Sequence, residues 1–229
     1  MVKTSTKRWM GAMAGGVTLV VAAIGFLHTP AGRPLLARVG GCPVGNAPPA
    51  RVEEGRVRAV LQTRGAIAAP ARPALGFRLD ETSLADVKAW ASHHGARCVE
   101  KREGTLLQCA DVPSRAIDGP TADEAAKVDD VSFGFTPGTH VLTGISTLRY
   151  ARAPGGAVAT LDHKVSSLEK ELGEGKATGQ RDAQYLSGGA YRTAVVEYRF
   201  RDYMADVTGM NLPGRGIAVR EHYQSARVD

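Results

Sequence analysis

The sequence predicts an α+β domain, a helix laid on an antiparallel sheet, standing behind an N-terminal membrane helix. Three observations carry that expectation. Trp9 to Leu27 is an apolar run of 19 residues without a charge. Further on, apolar residues recur at helical spacing near Leu84 and again near Leu161, while the stretches between alternate with period two. The order of these signals then repeats: Ser83 and Thr160, two helix starts, lie 77 residues apart, and Tyr150 and Tyr223, two strand ends, lie 73 apart. That agreement predicts a tandem duplicated α-β-β-β unit of about 75 residues, covering 75–150 and 155–225.

At ~1.5 Å per residue the leader reaches roughly 28 Å, close to the ~30 Å hydrocarbon core of a bilayer. Lys3, Lys7 and Arg8 precede it, and the next base is Arg33. This bias predicts a cytoplasmic n-region over 1–8, a transmembrane signal-anchor over 9–27 and export of everything downstream. Two other fates compete with the uncleaved anchor. Cleavage near Thr29-Pro30-Ala31 would release a secreted or periplasmic protein. Val39-Gly40-Gly41-Cys42 has the form of a lipobox, although Arg33 and Arg38 separate it from the apolar run. Gly11 and Gly15 form a Gly-x-x-x-Gly spacing, which chance explains in a segment so rich in Gly and Ala.

The net charge of +6 does not describe the folded part. Residues 1–38 hold five bases and no acid, whereas from Pro73 to the end 19 bases face 21 acids. Nucleic-acid binding needs its basic excess in the domain, so that function class is set aside. The excess is an address.

Along the chain, 28–74 reads as a Pro/Gly/Ala-rich tether with a short helix over 50–64, stopped by Gly65. The extracytoplasmic domain is placed at 75–229. Ser83 is an N-cap with Asp86 three residues on, Leu84, Val87, Trp90 and Ala91 follow in phase, and Gly95 suits a left-handed C-cap. Cys98 to Arg102 and Thr105 to Cys109 flank Glu103-Gly104, a hairpin turn that sets Cys98 opposite Cys109. In an oxidising compartment that pair forms a disulfide, leaving Cys42 odd. Pro113 to Lys127 reads as a polar connector; strands follow at Val131–Phe135 and Val141–Tyr150. Thr160 is expected to cap a helix with Leu161, Val165, Leu168 and Leu172 on one stripe, closed by Gly173. Residues 174–190 read as loop, and Tyr191–Phe200, Tyr203–Thr208 and Ile217–Tyr223 as strands. The layout resembles small envelope modules of the β-lactamase-inhibitor-protein type at the level of architecture. No signature residue carries the likeness, so it implies a fold and no function.

Candidate chemistry is sparse. His93-His94 near Cys98 suggests a metal or Cys-His site, but adjacent helical residues project ~100° apart and an oxidised Cys98 is no nucleophile. His163 falls off the apolar stripe and reads as a solvated residue. Glu197, Asp202, Asp206 and Glu221 with His222 offer carboxylates for acid–base work, yet strand alternation already explains them. Tyr198-Arg199-Phe200-Arg201 interleaves aromatics and bases, which period two resolves into a core-facing aromatic pair and a wet arginine face. No nucleophile elbow, zinc-binding His-Glu-x-x-His or phosphate loop occurs, and no metal or cofactor is expected. The Leu212-Pro213-Gly214-Arg215-Gly216 loop and Trp90 remain as partner contacts. The sequence therefore points to a membrane-tethered, non-catalytic binding or assembly module of the cell envelope, whose partner is another envelope protein. An envelope hydrolase using Glu221 with His222 is the rival reading, and a secreted inhibitor a third.

Overall fold

The structure, a computed structural model, describes residues 47–123 and 125–228. The leader, its flanking bases, Cys42 and the Gly-x-x-x-Gly spacing lie outside the described residues. No described helix is long and apolar enough to cross a membrane.

In chain order the elements are α1 (Pro49–Thr63), α2 (Leu84–His93), β1 (Arg97–Lys101), β2 (Leu106–Pro113), α3 (Ser114–Asp118), β3 (Lys127–Phe135), β4 (Leu142–Ala151), α4 (Pro154–Leu172), β5 (Lys176–Thr178), α5 (Ala183–Ser187), β6 (Thr193–Arg199), β7 (Tyr203–Leu212) and β8 (Gly216–Ser225). All eight strands join one antiparallel sheet in the order β1-β2-β3-β4-β8-β7-β6-β5. Each half is a helix followed by four meandering strands, and the halves meet where β4 pairs with β8.

Local chemistry explains the elements. Ser83 and Asp86 close a capping box at the start of α2, each side chain bonded to the other's backbone N–H at 3.2 and 2.9 Å. Gly95 takes φ +65° where α2 ends. Glu103 and Gly104 both have positive φ, the geometry of a type I′ turn, so β1 and β2 pair in the expected register. That register sets Cys98 against Cys109, and the two are joined. Helix α4 begins at Pro154, six residues before the expected cap. A proline at the first helical position costs no hydrogen bond, and Thr160 sits inside the helix with its hydroxyl on the Gly156 carbonyl at 2.9 Å. The expected connector 113–127 folds into α3, and the expected loop 174–190 holds β5 and α5.

Two layers enclose the core. Helix α4 buries Ala157, Leu161, Val165, Leu168 and Leu172 against the inner face of β4, β7 and β8. Leu161 and Val165 are fully buried, each contributing ~1.5–3 kcal/mol. Over the first half, Leu84 and Val87 of α2 join Leu107, Val131 and Phe133. Trp90 rests its ring on Phe77 and Phe133 at 5.1 and 5.5 Å.

The compact unit starts at Pro48, not at Leu75. Residues 64–74 run along the β6–β7 hairpin as a strap. Gly65 N–H donates to the Phe200 carbonyl at 3.1 Å, Arg201 N–H to Ile67 at 2.7 Å and Ala69 N–H to the Asp202 carboxylate at 2.9 Å. The Tyr203 hydroxyl donates to the Pro73 carbonyl at 2.6 Å. Proline and alanine hid this segment because its order rests on backbone hydrogen bonds rather than on an apolar rhythm. Helix α1 sits on the opposite, outer face, where Val60 packs with Met204 and Ala226.

Candidate functional site

Charged residues rarely occupy core phases unless they are paired. At the seam of the two halves three of them do, and a fourth faces them. Inward positions on β4 carry Ile145, Thr147 and Arg149; those on β8 carry Val219, Glu221 and Tyr223; Lys164 interrupts the buried stripe of α4. Asp118, the last residue of α3, faces them.

The four charges form a closed square. Arg149 reaches Glu221 Oε1 at 2.6 Å and forks onto both Asp118 oxygens at 2.7 and 2.9 Å. Lys164 Nζ lies 2.6 Å from Asp118 and 3.1 Å from Glu221. Thr147 adds a hydroxyl to Glu221 Oε1 at 3.0 Å, and Tyr223 donates to Oε2 at 2.6 Å. Two of these ion pairs, Arg149–Glu221 and Lys164–Asp118, cross between the halves.

Burial pushes the Glu221 carboxyl up, but Lys164 and Arg149 together outweigh it and hold it below the usual carboxylate range. Burial, then the neighbouring Glu221 charge, drives the Tyr223 phenol well above its ordinary value. Glu221 is therefore ionised, and both its oxygens are engaged. A carboxylate so placed locks structure; as a general base it has no free oxygen.

Two clefts flank the square. One of about 420 Å³ lies between the strap and α4, with Arg72, Leu75, His163, Ser167 and Glu171 in its walls and Glu221 at its floor. The other, about 500 Å³, opens beside Thr121, Asp123 and Thr160 and shares Asp118 and Lys164.

The expected Glu221–His222 pair does not exist. Successive strand residues point to opposite faces, so Glu221 looks into the helix layer while His222 lies on the outer face beside Asp206, Nδ1 to Oδ1 3.3 Å. Asp206 also accepts from Arg220 at 2.9 Å. Burial raises its carboxyl, yet the His222 and Arg220 hydrogen bonds prevail and bring it to about 2. Glu197 pairs with Arg199 on the same face, and Asp202 serves the strap. The carboxylates thus scatter over three places.

Tyr198 and Phe200 do face the core, with Arg199 on the outer side. Burial raises the Tyr198 phenol to about 12, and its hydroxyl has no partner among the described residues. His93 and His94 stack edge-on at 4.9 Å at the end of α2, and Cys98 beside them is spent in the disulfide. No group of three or more metal-capable side chains occurs among the described residues. His163 is exposed at the rim of both clefts. Trp90 is half-buried in its aromatic cluster, which leaves little of it for a partner. Leu212 and Arg215 lie at the β7–β8 turn, where Arg215 stacks over Tyr150, 5.7 Å from the ring centre. Arg149, Lys164, Asp118 and Thr147 escaped the sequence reading. Lys164 carried a usable signal, since it stands in the core phase of an otherwise apolar stripe.

No protein family, no curated protein and no solved structure matches the chain.

Proposed function

We propose that this chain is a membrane-tethered, extracytoplasmic binding or assembly module of the cell envelope, with no catalytic role. One observation carries the reading: the buried acid–base cluster at the seam is saturated by its own members. A catalytic carboxylate needs an oxygen free for substrate; Glu221 and Asp118 instead hold the halves in register. Export is supported by the leader, with its bases on one side, and by a disulfide suited to an oxidising compartment. The recurring order, a helix and then four strands, supports an internal duplication, the second copy gaining β5 beyond the three strands expected of it.

The rival reading, an envelope hydrolase, draws on the cleft over Glu221, whose walls carry several ionisable groups. A paired experiment separates them. The full-length chain is recovered from membranes with its cross-linked neighbours, and the same preparation is assayed on envelope esters, peptides and glycans. The binding reading predicts a stoichiometric neighbour and no turnover. Turnover that disappears in Glu221→Gln while the fold persists would reverse it.

A further inference from the structure

The two clefts beside the square lie end to end along one flank of α4. Thr160, His163 and Lys164 wall the larger, and His163, Lys164, Ser167 and Glu171 wall the smaller. Positions 160, 164, 167 and 171 follow at three- and four-residue steps, so they share one side of the helix. The opposite bank changes along the way. Over the larger cleft it is the chain after α3, with Ala122, Ala126 and Lys127; over the smaller it is the end of the strap and the turn beyond, with Leu75 and Phe77. Asp118, 2.6 Å from Lys164, belongs to both clefts and marks where they meet. From Thr160 to Glu171 the helix rises roughly 17 Å, about five steps of an extended chain.

Most charges along this trough are answered within the protein. Lys164, Arg149, Asp118 and Glu221 answer one another in the square. Arg72 pairs with Asp80, and the Asp123 carboxylate accepts from the Ala125 N–H at 2.9 Å. Two are not answered. Glu171 in the smaller cleft and Lys127 in the larger are exposed, and neither side chain forms an ion pair among the described residues. The free charges are therefore opposite in sign, one to each cleft. Apolar surface is divided as well. Leu75, Phe77 and Leu168 lie on the Glu171 side, whereas the apolar residues on the Lys127 side are alanines.

We propose that this trough binds an extended segment of another protein, with an acidic residue over Lys127, a basic residue over Glu171 and large apolar side chains next to the base. The inference rests on the binding-module reading and names the partner's chemistry and its place. A peptide suits the trough better than an acyl chain, which would lay hydrocarbon over Lys164 and Asp118. An uncharged sugar would answer neither Glu171 nor Lys127.

The test titrates the full-length chain, in detergent micelles, into fluorescent hexapeptides blocked at both ends. Asp-Ala-Ala-Leu-Leu-Arg and Arg-Leu-Leu-Ala-Ala-Asp cover the two chain directions, and a second pair has the charged ends exchanged. Saturable binding of one of the first pair is expected, about tenfold tighter than its exchanged counterpart. Lys127→Glu with Glu171→Lys keeps the net charge and should invert that preference, which a merely structural role would not do. Ser167→Phe should fill the smaller cleft and weaken binding about tenfold. Ser166→Phe, at an exposed position outside both clefts, should leave it within about twofold. No saturable binding, no inversion, or equal loss in the two serine variants overturns the proposal. So does uptake of palmitate or a cello-oligosaccharide that Ser167→Phe abolishes and the peptides do not displace. If membrane cross-linking finds a stoichiometric neighbour that Ser167→Phe and the double variant both retain, the trough falls while the binding-module reading stands.

Discussion

Glu221 is fully buried and accepts from four groups. Removing its charge strands Arg149 and Lys164 with Asp118 alone. Glu221→Gln should therefore destabilise the domain by about 3–5 kcal/mol, read from urea unfolding. Replacing Arg149 by Met should cost a similar amount, because it leaves two carboxylates on one lysine. Asp206 tests the outer face through pH. Its folded carboxyl lies near 2, below the ordinary ~3.9 of an unfolded aspartate, so it binds protons more readily once unfolded. Its contribution is complete above about pH 4 and is lost as pH falls toward 2. Asp206→Asn should remove about 2 kcal/mol at pH 6 and almost nothing at pH 2. A constant difference across that range would assign the effect to packing instead.

Among the elements, the β1–β2 hairpin was the most legible in sequence, since turn, register and cysteine pairing were all local. Closing its short loop should contribute about 3 kcal/mol on the chain-entropy model. The Cys98→Ser, Cys109→Ser pair should lose that much, and non-reducing peptide mapping should show 98 joined to 109. Helix α2 was legible for the same reason, with both caps written into the chain. Three features were not. Helix α4 begins six residues before the expected cap because Pro154, Gly155 and Gly156, residues of chain-breaking type, form its first turn. The strap hid behind its prolines, and the seam network behind long sequence separations, with Asp118 and Glu221 about a hundred residues apart. Gly65 tests the strap directly. A Cβ there would lie 2.1 Å from the Arg199 carbonyl oxygen, so Gly65→Ala must push the strap off the hairpin, at a cost of ~1–3 kcal/mol. Proteolysis between 64 and 74 should then accelerate.

At the scale of the molecule, two helix-and-sheet halves share one continuous sheet. The inner face is closed by α2 and α4. The α+β class and the order of most strands could be read from periodicity. The joining of β4 to β8 could not, because nothing local says which edges meet. Compartment gives this architecture its meaning. On the proposed export, the hairpin disulfide would persist, the leader's bases would serve as an address, and the domain would act as a binding module. The most direct measurement is an alkaline phosphatase reporter fused after Asp229 and compared with a fluorescent reporter that matures only in the cytosol. The account predicts an active phosphatase and a dark fluorophore. A bright fluorophore with an inactive phosphatase would contradict it, and with it the oxidised hairpin and the envelope partner.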